Sequence, residues 1–287
     1  MMRAQRMADY LELTKPRLSG LVLVTTAAGF WLGRRASEPM DRLWPVMLGT
    51  ALVVAGANAL NQWSERSFDA VMGRTKHRPL PSGRITPDAA FRFGMIGSVV
   101  GLLILAASVN ALSTVLAAAS WASYVLVYTP MKRVTSLCTL VGAVPGALPP
   151  VIGWAAARST IGPGAWALFT ILFVWQLPHF LALAVLYRDD YARAGFHLLP
   201  LLEPDGAAAA RQTVLYGMAL VPISLFPTVF GLAGRWYFCG ALVLGVAFFA
   251  LAVRAAWCRS RRSAQQLFRA SLLYLPVLLG LLALNRT

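Results

Sequence analysis

Hydrophobic and polar residues follow one another along this chain in long blocks rather than in short periods. Nine apolar stretches, at residues 17–33, 43–62, 91–109, 111–129, 136–156, 164–187, 212–233, 236–257 and 266–284, each approach the ~20 residues that an α-helix needs to cross a bilayer. The pattern predicts an all-α, polytopic membrane protein of nine transmembrane helices. The third stretch meets the fourth at a tight, uncharged connection, Val109–Asn110–Ala111, so these two should form a hairpin. The fifth stretch is broken by Pro145, Pro149 and Pro150 together with Gly142, Gly146 and Gly153. Proline in a membrane helix frees backbone carbonyls that only protein or a wet cavity can satisfy. This helix is therefore expected to line a cavity rather than face lipid.

Composition agrees with the pattern. The chain of 287 residues is 58% hydrophobic and 13% charged, with a mean hydropathy of +0.63, and it reads as a single intramembrane domain over 1–287. A net charge of +15 could suggest nucleic acid, but the Lys and Arg residues sit in short loops between apolar stretches, where they anchor the chain against anionic lipid. Nucleic acid is excluded as a partner and membrane lipid is expected. With the N-terminus inside, 20 of the 26 Lys and Arg fall on the inner side, which predicts an N-in, C-out topology. Nine of the eleven acids fall on that side too, all but Glu38 and Asp41. Orientation does not require this, because Asp and Glu contribute little to it. Cys138, Cys239 and Cys258 are too scattered for a disulfide framework or a CxxC metal site. No signal or transit peptide is recognisable at the N-terminus, so a bacterial plasma membrane is the expected location.

The inner-side acids direct attention to Asn61–Arg84, NQWSERSFDAVMGRTKHRPLPSGR. If the second helix continues to Met72, Asn61, Glu65 and Asp69 recur every four residues and share one face. A basic loop with Arg74, Lys76, Arg78 and Arg84 follows at once. Carboxylates beside cations suit a metal-bound diphosphate, the acids taking Mg²⁺ and the cations taking phosphate oxygens. The alternative is local salt-bridging of Glu65 and Asp69 to Arg66 or Arg74, worth less than ~1 kcal/mol if exposed. Three more sets stand out. Arg188, Asp189, Asp190, Tyr191 and Arg193 end the sixth stretch, and taken alone could be an ordinary helix end. Tyr128, Lys132 and Arg133 end the fourth, where positive-inside anchoring explains the cations equally well. His179 sits at membrane depth, either satisfied by a neighbouring carbonyl or touching a polar or metal-containing substrate.

These residues carry a resemblance. Asn61-x3-Glu65-x3-Asp69-x4-Arg74-Thr75-Lys76-His77-Arg78 resembles the first Asp-rich motif of the intramembrane (UbiA-type) prenyltransferases, and Arg188-Asp189-Asp190-Tyr191 with Gly195 resembles the second. Thr14-Lys15-Pro16-Arg17, GALPPVIGW, Pro178-His179-Phe180 and DDYARAGFHLLP are similar to the protoheme IX farnesyltransferase branch. The match runs from about residue 14 to 200, and the last three helices contribute hydropathy alone. It implies a nine-helix bundle around a central cavity, in which farnesyl diphosphate and haem b are the substrates. The farnesyl group joins a vinyl group of haem b, water adds, and diphosphate leaves. It also implies Mg²⁺ as cofactor, held by Glu65, Asp69 and Asp190, with Asn61 as a further metal-diphosphate ligand. Arg74, Lys76, Arg78, Lys132 and Arg133 become phosphate partners, Arg74 foremost. Tyr128, Asp189 and His179 become substrate contacts, His179 near the haem iron or a propionate, and a haem A synthase becomes a candidate partner. Gln62, Glu65, Tyr187 and Tyr191 depart from the acid-richer quinone-type pattern, which favours the haem branch. An aromatic quinone precursor or another tetrapyrrole is the alternative acceptor. A non-catalytic haem or lipid transporter would need neither the carboxylate stripe nor the adjacent cations.

Overall fold

A computed structural model describes residues 2–35, 37–203 and 205–287; the side chains of residues 2–4, among them the Arg3 counted as inner, lie outside the described set. The described residues are mostly helical. In order the helices are α1 (Met2–Leu13), α2 (Pro16–Gly33), α3 (Leu43–Val71), α4 (Pro87–Ser108), α5 (Ala111–Met131), α6 (Cys138–Arg158), α7 (Pro163–Leu186), α8 (Arg188–Arg193), α9 (Leu199–Leu202), α10 (Ala207–Val229), α11 (Arg235–Cys258) and α12 (Arg261–Leu284). The described residues contain no strand beyond one isolated bridge between Ala233 and Arg286.

Eight of these, α3 to α7 and α10 to α12, are long and apolar enough to cross a membrane. The first predicted stretch is also helical as α2 but is not among the eight. Its 18 residues open on Pro16 and Arg17 and include Ser19, Gly20, Thr25 and Thr26, which dilute its apolar content.

Local chemistry sets the ends. Thr86 caps α4 by accepting from the Ala89 N–H, with Pro87 at the first position, where the missing N–H costs nothing. Asn110 caps α5 through the Ser113 N–H, closing the predicted hairpin, and Ser260 forms a capping box with Ser263 at α12.

Helices meet through small residues, as membrane bundles require. A Cβ on Gly56 of α3 would lie 2.5 Å from the Gly94 carbonyl of α4, and one on Gly153 of α6 would lie 1.9 Å from the Thr26 carbonyl of α2. Leu168, Trp175, Tyr237, Phe248, Leu275 and Leu278 anchor an apolar core where α7 meets α11 and α12. The proline-rich α6 breaks at Leu148 into two straight pieces. Its Gly142, Pro145, Gly146 and Pro149 line a chamber of about 210 Å³ bounded also by α2, α3, α5 and α7.

Candidate active site

Helix α3 runs past the predicted end of its apolar stretch to Val71, so Asn61, Glu65 and Asp69 do share one face. All three are buried, at 1%, 4% and 1% exposure. Buried carboxylates are costly unless paired, and each has a partner. Lys132 Nζ, after α5, donates to Glu65 Oε1 at 2.8 Å, and Arg78 Nη1, from the loop after α3, donates to Asp69 Oδ2 at 2.8 Å. Lys15 Nζ donates to Asn61 Oδ1 at 2.8 Å, while Asn61 Nδ2 donates to Thr129 Oγ1 at 3.1 Å. Asp69 Oδ1 is buried and accepts no hydrogen bond. The local pairing with Arg66 or Arg74 does not form: Arg66 donates to the Trp63 carbonyl.

Lys15 is the residue that sequence reasoning passed over as a site member, although the Thr14–Arg17 motif contained it. It adopts a left-handed conformation, φ 50° and ψ 64°, directly before Pro16, which costs a non-glycine residue roughly 1–2 kcal/mol. The turn is held by α3: Asn58 Nδ2 donates to the Thr14 carbonyl at 3.1 Å and Gln62 Nε2 to the Leu13 carbonyl at 2.8 Å. Burial, and after it the Arg78 and Lys132 cations, lower the Lys15 ammonium to about 7. The site thus carries more positive charge than its own carboxylates balance. Lys132 responds the opposite way: burial opposes its charge, but the Glu65 carboxylate prevails and holds it above its ordinary value.

The basic loop is ordered by aromatic rings. The Arg74 guanidinium lies 5.0 Å from the Tyr187 ring centroid and 4.8 Å from that of Tyr191, an arrangement in which cation–π attraction fixes a side chain that is otherwise exposed. Arg133 lies 4.1 Å over Phe68 and donates to the Ser64 carbonyl. Asp190 reaches this loop as well: its Oδ1 accepts the Gly73 N–H at 3.0 Å and pairs with Arg193. Partial burial works against its charge, but the Gly73 N–H and Arg193 hold it below the usual carboxylate range. Phe196 stacks on Phe68 at 5.7 Å, and the His197 N–H donates to the Lys132 carbonyl at 2.8 Å. The two sequence motifs are therefore laced together across the loops.

The metal set expected from sequence does not converge in this way. Among the described residues no three His, Cys, Asp or Glu side chains form a metal-holding group; Asp190 binds the loop and Arg193. Lys76 and Asp189 are exposed, and their side chains make no hydrogen bond or ion pair among the described residues. His179 is not brought to the site. Its ring stacks on Trp175 and Phe268 at 5.3 and 4.8 Å, and its Nδ1 lies 2.7 Å from Ser271 Oγ of α12.

Above the carboxylates lies the chamber. In α5, residues Ser123–Tyr128 form a π-helical turn, sealed by the Thr129 N–H donating to the Tyr124 carbonyl. Its Tyr124 and Tyr128 stack at 5.6 Å, both line the chamber, and Lys132 Nζ sits 4.5 Å over Tyr128. Otherwise the wall is mostly apolar, with Leu18, Val22, Val53, Ile152 and Phe180. The arrangement can hold a multiply charged anion at its inner end and a hydrocarbon behind it.

Comparison with known proteins gives a consistent result. Residues 22–275 match the UbiA prenyltransferase family. A protoheme IX farnesyltransferase of Solibacter usitatus is 46% identical, covering 98% of this chain and 99% of its own length, and one of Myxococcus xanthus is 45% identical, covering 97% and 95%. Among solved structures, a digeranylgeranylglyceryl phosphate synthase superposes with a TM-score of 0.80 at 16% identity over 98% of both chains. A UbiA homolog from Archaeoglobus fulgidus bound to GPP and Mg²⁺ superposes with a TM-score of 0.69 at 17% identity, over 96% of this chain and 99% of that one.

Proposed function

We propose that this chain, which belongs to the UbiA prenyltransferase family, transfers the farnesyl group of farnesyl diphosphate to a vinyl group of haem b, giving haem O and diphosphate. The observation that carries the reading is the buried Asn61, Glu65 and Asp69 stripe, each member facing a cation, at the inner end of an apolar chamber. The near full-length similarity to relatives named protoheme IX farnesyltransferase supports haem b as the acceptor.

Asn61, Glu65 and Asp69 fit Mg²⁺. Its preferred setting is one or two carboxylates completed by water and substrate phosphates, and the unpartnered Asp69 Oδ1 offers an oxygen for it. There the ion would neutralise charge on the departing diphosphate. Asp190 serves the same site by fixing the loop that presents Arg74. Lys15, Arg74, Arg78, Lys132 and Arg133 supply cations for phosphate oxygens, with Lys76 available at the rim. As the C–O bond breaks, these groups stabilise the leaving charge. The chamber wall then keeps bulk water from the allylic cation. Along α3 it runs from Asn58 to Thr50, about 12 Å at 1.5 Å per residue, long enough for two extended isoprene units, so that a third folds or reaches past the wall. Tyr128 lies where the two ends meet and contacts the substrate.

The reading includes nine spans with the N-terminus inside, because α2 packs along α6 within the bundle and the basic loops share one side. It also places the protein in a bacterial plasma membrane and makes a haem A synthase a candidate recipient of the product. The test is purified protein in detergent with haem b, farnesyl diphosphate and Mg²⁺, assayed for haem O by mass. A prenylated product with 4-hydroxybenzoate and none with haem b would overturn the acceptor assignment.

A further inference from the structure

One polar side chain in the chamber wall is aimed inward and has no task in diphosphate binding. Gln176, on α7, is 5% exposed. Its Nε2 donates to two backbone carbonyls, Leu172 at 2.8 Å and Ala143 at 3.3 Å. Both amide hydrogens are thereby committed, and turning the amide over would set its oxygen against two carbonyl oxygens. The orientation is fixed. Gln176 Oε1 accepts no hydrogen bond from the protein, and the residue lines the chamber beside Ser120 and Tyr124. Clearance for it is provided by Gly146, where a Cβ would stand 1.9 Å from Oε1. Oε1 is not sealed off like Asp69 Oδ1 but open to the chamber, so its donor comes from what the chamber holds during the reaction.

We infer that Gln176 Oε1 holds the water that completes the transfer, which makes Gln176 a positioning residue for the hydration step. This rests on the reading that a vinyl group is the acceptor. In that reaction the allylic C–O bond breaks with its electrons going to diphosphate. The vinyl π pair then forms the new C–C bond, leaving a cation on the vinyl carbon attached to the macrocycle. Water adds a lone pair to that carbon, and its surplus proton passes to the released diphosphate. A water donating one hydrogen to Gln176 Oε1 keeps its lone pair directed into the chamber. Without it, the cation loses a proton from the adjacent new CH₂ and yields an alkene lighter by one water.

The test is the ratio of hydroxylated to dehydrated farnesyl-haem, measured by mass spectrometry in one sample, for wild type, Gln176→Met and Gly146→Ala. Gln176→Met removes the acceptor at similar size, and Gly146→Ala displaces the amide without altering its chemistry. Each should lower the ratio about tenfold, the effect of one lost hydrogen bond at a competing step. A purely structural role would lower yield and leave the ratio unchanged. Being a ratio, the readout does not depend on how much protein folds, and should one variant give no product the other carries the same test. A wild-type ratio in either variant overturns the inference. If wild type itself makes no farnesylated haem, the acceptor reading fails instead, a result separate from this one.

Discussion

Removing Lys132 should destabilise the protein through the charge it leaves behind rather than through the contact it loses. The Lys132 and Glu65 side chains are 14% and 6% exposed and 2.8 Å apart. At an effective dielectric of about 20, that separation gives a gross attraction of roughly 6 kcal/mol. Desolvation of both ions consumes much of this, so the intact pair is worth little relative to an apolar replacement. Lys132→Met strands the Glu65 carboxylate, and breaking a buried pair from one side costs about 3–5 kcal/mol. The double variant Glu65→Leu with Lys132→Met replaces the pair by apolar side chains, strands no charge, and should return to within about 1 kcal/mol of wild type. Thermal unfolding in detergent, read as a Tm drop of roughly 6–20 °C for the single variant and little for the double, checks both. Turnover should be lost in both, because stability and diphosphate binding draw on the same groups for different reasons. A single variant as stable as wild type, or a double variant less stable than the single, would refute the reasoning.

Four further outcomes follow from the site. Asp69→Asn should leave the protein folded and reduce turnover by at least about a hundredfold, measured in the haem b assay; full activity would remove Asp69 from the metal site. Arg74→Leu should raise KM for farnesyl diphosphate about tenfold or more, and Arg74→Lys should recover only part of this, because lysine lacks the planar group that stacks between Tyr187 and Tyr191 and grips phosphate bidentately. Lys15→Met should weaken farnesyl diphosphate binding about tenfold by removing a cation, and should lower Tm by several degrees because Asn61 Oδ1 loses its donor. Gly153→Val should cost about 3 kcal/mol in the same unfolding assay, since even its Cβ would overlap the Thr26 carbonyl of α2.

The sequence made the spans legible wherever apolar blocks were long, and least legible at α2, where Thr, Ser and Gly are used to pack against α6 rather than to meet lipid. Fourfold spacing was enough to read the Asn61, Glu65 and Asp69 face, because helical periodicity needs no tertiary information. Their partners were not readable: Lys15, Lys132 and Arg78 come from three separate connections that only the fold brings together. Asp190 was found but its hold on the loop was not, since a carboxylate that grips a Gly73 N–H has no signature distinct from one that grips a metal. For His179 it was the protein partner that could not be read. Its polarity at membrane depth drew attention, yet Ser271, ninety-two residues away, satisfies it at a helix contact. Gln176 was silent for the same reason: its value lies in which of its two amide atoms is left unpaired.

The π-helical turn in α5 sets the phase of the inner wall in a way that no single side chain does. A turn closing from residue i to i+5 contains one residue more than an α-turn, so it works as an insertion absorbed without a loop. Removing one residue from Ser123–Tyr128 would let an ordinary α-helix form there with what lies beyond left in phase, whereas winding the same residues as α-helix would rotate everything beyond by about 100°. Lys132 would swing off Glu65 and the stacked tyrosines would part, although every residue named in the site was still present. Relatives that lack one residue here are therefore expected to be α-helical through this stretch and to keep Lys132 facing Glu65, a phase match that identity at the site positions alone does not reveal.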